Sequence, residues 1–303
     1  MSEATHSSVV DIGPVVRALD SAPSVHATQP WLIEPFVDGV DLVERTDIQL
    51  PFHDPHCRDR AMSCGAALTN LVVAVRAQGL TAQVALLPDP DRPELVARVT
   101  ASGVAPPTGI DLAQHAAIDH RHSHRAPFSV RGLTWLDREA LVSAASGNGV
   151  TAHVIRRQET FPLADLLDYA GLAFRDDPGY QRELAAWLPV FPHPFRTAST
   201  LPWSGLVHND THVPDRYVLA ERLRHECLLV VLTATDTRRD HLLAGMALQR
   251  SWLTAVSRGL VASVVTQPWQ LPEVRDSLSL LLGRRGFPQA MLRVGRRIVN
   301  SDL

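Results

Sequence analysis

Ser24, His26, Thr28 and Gln29 crowd into one short stretch, Pro23-Ser-Val-His-Ala-Thr-Gln-Pro-Trp31, with a proline at either end of the polar run. Proline fixes φ and removes a backbone donor, so neither a helix nor a central strand runs through this stretch. The expectation is a stiff loop that presents the four side chains along an extended backbone, suited to a flat ligand with many acceptors. An ordinary helix-to-strand turn would read the same way. A second candidate is Arg121-His-Ser-His-Arg-Ala-Pro-Phe128. If it is helical, Arg121 and Arg125 share a face, with Ser123 near its edge. Two forked guanidinium groups and a hydroxyl suit a phosphate. A third is Val264-Val-Thr-Gln-Pro-Trp269, which again sets polar groups, Thr266 and Gln267, before a proline and a tryptophan. His120, His122 and His124 alternate as ligands on a strand could, but lack an acidic or cysteine partner at convincing spacing, which favours surface histidines.

These residues need a frame. Apolar residues at 9, 12, 15, 16 and 19 trace one helix face ahead of the first loop, and a short strand follows over 31–36. The clearest helix spans Arg58 to Gln78 and is stopped by Gly79. Strands are expected at 82–87 and 94–100, and 101–107 reads as a linker. Beyond it, helices are expected at 111–119, 136–146, 159–187 (in two pieces broken near Asp177-Pro-Gly) and 239–258. Strands are expected at 150–155, 226–233, 260–266 and 290–294. The aromatic, proline-rich stretch 189–214 is too apolar for a solvated linker and reads as a cover or lid.

Residues 66–84 and 246–264 align without gaps at an offset of 180, pairing Ala67 with Ala247, Leu68 with Leu248, Gly79 with Gly259, Leu80 with Leu260, Ala82 with Ala262 and Val84 with Val264. Each copy reads helix, Gly-Leu stop, strand. The chain therefore reads as two copies of one α+β unit, 1–107 and 108–303.

The loop pattern Ala-Pro-Ser-x-x-x-x-Gln-Pro-Trp resembles the flavin-contacting loop of the nitroreductase superfamily, and its His26 resembles the Acg-type branch of FMN-binding, NAD(P)H nitroreductase-like proteins. The Arg121-x-Ser123-x-Arg125 segment is similar to the one that holds the FMN phosphate there. The resemblance implies an α+β nitroreductase-like fold whose two halves form a pseudo-dimer within one chain. It also implies cofactor contacts from Ser24, His26, Thr28 and Gln29, from Arg121, Ser123 and Arg125, and from Thr266 and Gln267 at the N5 edge of the flavin. The last strand, Gly286 to Gly295, resembles the family's own, so Arg293 and Arg296 are expected to add charge near the phosphate; the family's basic tail is mostly missing. Ala27 departs from the family's Asn, so that contact to the ring is expected to be lost. Only the first half carries the loop and only the second the Arg segment, while the counterpart Ala144-Ala-Ser-Gly-Asn148 lacks Gln-Pro-Trp. One FMN per chain is therefore implied, with a degenerate second site. The flavin would do the chemistry, leaving no catalytic side chain. NAD(P)H would be the reductant and a nitroaromatic, a quinone or a similar small molecule the acceptor; a lid closed over the flavin would instead make the protein an FMN store. A flavin-free interaction protein fits less well, because the binding motifs are retained.

Bulk properties exclude other classes. The 303 residues are 45% hydrophobic and 20% charged, and carry 29 basic against 32 acidic side chains for a net charge of −3. That balance gives no pull toward nucleic acid or an anionic membrane. Three cysteines without a C-x-x-C pair point away from disulfides and zinc and toward a reducing cytoplasm. No signal-like start or apolar run of about 20 residues is present. A chain carrying both halves is expected to be a monomer or weak homodimer.

Overall fold

The computed structural model describes residues 9–187, 207, 209, 211, 214–283 and 285–298. Its centre is a pair of helices, α2 (Arg58–Ala77) and α8 (Arg238–Ser257), whose boundaries differ by the offset of the sequence repeat. Their backbones touch at two glycines that also obey this offset. A Cβ on Gly65 would lie 2.1 Å from the Leu242 carbonyl oxygen, and one on Gly245 would lie 2.0 Å from that of Met62. Where the helices cross, Thr69 donates to the Met246 carbonyl and Gln249 to the Asn70 side chain, at 3.2 and 2.8 Å. These bonds satisfy polar groups that would otherwise be costly to bury.

Each central helix runs into a four-stranded antiparallel sheet. The first contains β1 (Trp31–Phe36), β2 (Gly39–Glu44), β3 (Leu80–Leu86) and β4 (Leu95–Val104) in the order β1-β2-β4-β3. The second contains β5 (Val150–Val154), β6 (Cys227–Thr233), β7 (Val261–Val265) and β8 (Phe287–Gly295) in the matching order β5-β6-β8-β7. Gly79 and Gly259 end the two helices at φ 78° and 71°, the left-handed turn that glycine enters without strain. Helices α1 (Ile12–Asp20) and α4 (Trp135–Ala145) precede the sheets. Asn70 reaches the Ala18 carbonyl on α1, and Arg250, its repeat counterpart, reaches the Ala144 carbonyl on α4.

The halves differ between their first two strands. β1 turns into β2 across two residues, Val37 and Asp38, whereas β5 and β6 are separated by a helical unit of α5 (Thr160–Asp176), α6 (Pro178–Trp187) and α7 (Arg216–Arg224). Leu163, Leu167, Phe174, Tyr180, Leu219 and Leu223 give this unit its own buried core against the second sheet. Two helices, α3 (Gly109–His120) and α9 (Pro272–Leu281), complete the described fold.

Most expected elements are present. The linker expected over 101–107 is not, because 101–104 belong to β4, where Ala101 pairs with Ala82 and Val104 with Leu80. Small residues suit a strand whose partner lies close, so their size misled the reading. The expected cover over 189–214 lies outside the described residues except for Val207, Asn209, Thr211 and Pro214. Among the described residues no helix is long and apolar enough to cross a membrane.

Candidate cofactor site

The loop between α1 and β1 is not extended as expected. It winds through a 3-10 turn, Val25–Ala27, with His26, Ala27 and Gln29 at φ 47°, 54° and 45°. Local hydrogen bonds favour this coil over an extended chain. The Gln29 N–H donates to Ser24 Oγ at 3.0 Å, Thr28 Oγ1 donates to the Val25 carbonyl at 2.8 Å, and Gln29 Nε2 donates to the Asp20 carbonyl at 3.0 Å. Three of the four expected ligand-facing side chains thus bond within the loop or to its approach. The loop is tied to α2 as well: the Val25 N–H donates to Ser63 Oγ at 3.0 Å, and Cys64 Sγ donates to the Pro30 carbonyl at 3.2 Å.

Left-handed backbone costs a residue with a Cβ about 1–2 kcal/mol, less for Asn, whose side chain bonds locally. Ala27 sits exposed in that region. Ala27→Asn is therefore expected to stabilise the protein by about 0.5–1 kcal/mol, raising Tm by roughly 2 °C. Calorimetry of the two proteins checks this; an unchanged or lower Tm would argue against the wound loop.

The Arg121–Arg125 segment is also extended rather than helical. α3 ends at His120, and Arg121 turns to φ −72°, ψ 118°. Ser123 then forms a parallel bridge to Ala262 of β7, and the His124 N–H donates to the Ala262 carbonyl at 2.8 Å. Pairing with a strand edge outweighs continuing the helix, yet Arg121, Ser123 and Arg125 still share a face, by the twofold alternation of extended chain. Arg121 Nη2 donates to the carbonyl of Ser21 at 3.2 Å, and the guanidinium lies 4.6 Å from the centre of the Trp252 ring. That bond places Arg121 two residues before Pro23, so segments a hundred residues apart meet at one place.

No carboxylate among the described residues pairs with Arg121, and its buried Nε has no hydrogen-bond partner there. Burial alone lowers its pKa to about 10, and burial lowers that of Arg125 too. A buried guanidinium without a counter-charge is costly unless an anion joins it. The chemistry of this donor set fits the phosphate of a flavin mononucleotide.

Arg293 and Arg296 do not fit that role, a correction to the expectation. Arg293 is 1% exposed and forked onto Glu226 at 2.6 and 2.7 Å, with Ser263 Oγ at 3.2 Å and the Phe128 ring beneath it. Arg296 pairs with Asp137 at 3.0 Å, and Arg258 shares that carboxylate. Both charges are already neutralised by carboxylates distant in sequence.

The turn after β7 docks on the start of α2. Thr266 and Trp269 offer their carbonyls to Arg58 at 3.4 and 2.8 Å. Gln270 Nε2 donates to Asp54 Oδ1, and Asp54 caps α2 through the N–H groups of Asp59 and Arg60. Trp269 is 1% exposed and donates from Nε1 to the Val265 carbonyl, which makes it a core plug. Gln267 is half-buried. Thr266 thus meets, through its carbonyl, the start of the helix that also carries Ser63 toward the loop, and Gln267 follows it in the turn. The Arg segment meets β7 and the approach of the loop, while the loop and this turn each meet the first turns of α2.

Asp59, missed in the sequence, is buried in this region, close to Thr266 and Gln270, with neither carboxylate oxygen in a well-formed hydrogen bond among the described residues. Burial, with Asp54 nearby, raises its pKa to about 6 although Arg58 lies 3.6 Å away. His53 was missed too. Its Nδ1 lies 2.6 Å from Nε2 of His26, and its ring stacks on Tyr180 of α6 at 4.0 Å. Only the polar run Phe52-His-Asp-Pro-His signalled it.

Burial lowers the pKa of His26 to about 3 and that of His53 to about 4. Between those values and about 6.5 the unfolded chain binds protons that the folded one refuses, so acidification destabilises by roughly 1.4 kcal/mol per pH unit for each histidine. Asp59 has the opposite sign: from about 6 down to 3.8 the folded state binds the extra proton. Two histidines outweigh one carboxylate, so these groups lower stability between pH 7 and 5. Urea melts at both values check this; a midpoint equal or higher at pH 5 would contradict the burial of the pair.

Two matching four-stranded sheets thus flank a pair of crossing helices, with the buried Arg121 tethered to the approach of a polar loop. No protein-family model matches the chain. It is 30% identical over 300 residues to a Mycobacterium tuberculosis H37Rv protein named as an NAD(P)H nitroreductase, Rv3131, covering 93% of this chain and 83% of that protein. It is also 30% identical over 299 residues to the M. tuberculosis protein named as NAD(P)H nitroreductase acg, covering 94% and 88%. Among solved structures it aligns with an FMN-bound nitroreductase of Bacteroides fragilis at a TM-score of 0.41 and 16% identity, over 61% of this chain and 88% of that one. The chain belongs to the NAD(P)H nitroreductase family.

Proposed function

We propose that this protein binds one FMN and uses it as an NAD(P)H-dependent oxidoreductase, reducing a nitroaromatic, a quinone or a similar small acceptor. The observation that carries this reading is Arg121, a buried cation that no carboxylate among the described residues pairs with, tethered to the approach of the Pro23–Trp31 loop. Arg121 and Arg125 would hold the phosphate, with Ser123 on the same face. His26 and the loop backbone would border the ring, with Ser24, Thr28 and Gln29 holding the loop in shape. Thr266 and Gln267 would lie at the ring's far edge. When bound, the flavin supplies the two-electron chemistry. The chain positions it, excludes water with the Trp269 plug, and contributes no acid or base of its own.

The two halves would be related copies that together imitate a dimer, so one chain would complete its own site, as a monomer or weak homodimer. The matching strand orders, the shared offset of α2 and α8 and the Gly65–Gly245 crossing support this. The second half's counterpart of the loop is a tight turn, closed by mutual hydrogen bonds of Gly147 and Val150 at 2.9 and 3.0 Å, which supports a single site.

A second reading, FMN storage, is favoured by the burial of His26 under His53 and Tyr180, which closes one side of the loop. Anaerobic titration with NADPH and NADH separates the two. Bleaching of the flavin absorbance near 450 nm (roughly where oxidised flavin absorbs) supports the oxidoreductase. Bleaching by dithionite alone supports storage, and a protein that takes up no FMN overturns both.

A further inference from the structure

The Arg121–Arg125 segment pairs with β7 through Ser123, and β5 forms the opposite edge of the same sheet, three strand spacings or about 14 Å away. On that far side a cleft of about 690 Å³ opens. Its walls are the first turns of α4, the chain just after β5, and the join of α7 to β6. Clefts of this size suit small organic molecules. Ile155, Leu223 and Cys227 are buried and give the cleft an apolar floor. Helix α4 places Trp135, Arg138 and Val142 three and four residues apart, so that one face of the helix lines one wall. Trp135 is 69% exposed, an indole that fills no core. Arg157 lines the wall after β5.

The charges around the cleft do not balance. Arg156 is held by Glu159 at 2.6 Å, Arg224 by Glu221 at 2.8 Å, and Glu226 by the buried Arg293 at 2.6 Å. Arg138 and Arg157 have no carboxylate partner among the described residues. Against these two cations stands one lining carboxylate, Glu139, that has no basic partner there. Positive charge is therefore in surplus beside an apolar floor. Guanidinium forks suit a carboxylate or sulfonate, and an indole face suits a flat ring.

We propose that this cleft is a second ligand site, separate from the flavin seat, for a small aromatic anion. The ring lies on Trp135 and the apolar floor, and Arg138 and Arg157 take the anionic group. Both guanidinium groups are exposed and unpaired among the described residues, so removing them leaves the fold intact.

The test uses the full-length protein, with FMN added and without it, and anilinonaphthalene sulfonate as the aromatic anion. Isothermal titration calorimetry is expected to find one saturable dye site per chain, with a dissociation constant that FMN leaves unchanged. The double variant Arg138→Gln/Arg157→Gln is expected to raise that constant at least about tenfold, and Trp135→Ala at least about threefold. Melting temperatures of the variants should stay within about 2 °C of wild type. Phenylnaphthylamine, the same dye without its sulfonate, is expected to bind at least about tenfold more weakly. Displacement of the dye by FMN would assign its binding to the flavin seat and overturn the second site. Dye binding that is absent or not saturable, a double variant that binds as wild type does, or equal binding of the neutral dye would each overturn the proposal. A protein that takes up no FMN yet binds the dye as expected upholds the cleft and overturns the cofactor reading alone.

Discussion

Arg121→Met is expected to cost the protein most of its affinity for FMN while leaving the unliganded fold about as stable as before. Removing one partner of a buried charge pair with phosphate costs roughly 2–5 kcal/mol, or about thirty- to several-thousand-fold in the dissociation constant. Without ligand, the guanidinium stabilises little: it gives one hydrogen bond to the Ser21 carbonyl and one contact with the Trp252 ring, against the cost of a buried charge with no carboxylate partner among the described residues. The net change should stay within about 1 kcal/mol. Arg293→Met should do the reverse. It strands the Glu226 carboxylate without its forked partner, at a cost of roughly 3–5 kcal/mol of stability. FMN affinity of the folded fraction should hold. Denaturant melts and flavin titrations on both variants check the pair; a swap of the two phenotypes would move the phosphate seat to the end of β8.

Gly65→Ala and Gly245→Ala should each destabilise by at least about 3 kcal/mol, because the added Cβ meets opposing backbone rather than a side chain that can swing away. The helices must separate, and the Met246 and Asn70 hydrogen bonds across them go too. Arg121 lies against α8 and the loop against α2, so FMN binding should fall with stability. Gly109→Ala is the control: it opens α3 with nothing within 4 Å of a new Cβ, and should be neutral or slightly stabilising. Equal melting temperatures for all three variants would contradict the close crossing.

The sequence made the frame legible wherever one local rule decided the outcome. The apolar stripe and Gly79 placed α2 nearly to its last residue, and the repeat located its partner α8. Rules weakened where a neighbour distant in sequence decides. Nothing local says that β7 will capture Ser123, so a helix was expected at Arg121–Arg125 and a strand edge formed. Arg296 sits 159 residues from its carboxylate, and Arg293 sits 67 from Glu226, so their neutralisation had no sequence signal. Helix α9 was not expected; it opens on Pro272, where at the first helical position the missing N–H costs nothing. Within the candidate site, the types of residue were legible and their roles were not. Ser24, Thr28 and Gln29 read as ligands, and nothing local said that they would also bond within the coil that carries His26.

The unequal hairpins bear on the order in which the chain assembles. β1 and β2 pair across two residues, whereas β5 and β6 must find each other across 155–226. Pairing between segments far apart in sequence is slow, since chain entropy is spent before any contact rewards it. Synthesis favours the same order, because the first sheet leaves the ribosome first. The N-terminal sheet should therefore close ahead of the C-terminal one. In pulsed hydrogen exchange during refolding, amides of Val40 and Leu42 should be protected before those of Val230 and Leu232; simultaneous protection would contradict the order. The loop would then stand ready, on a preformed scaffold, before the arginine that completes the seat arrives on it.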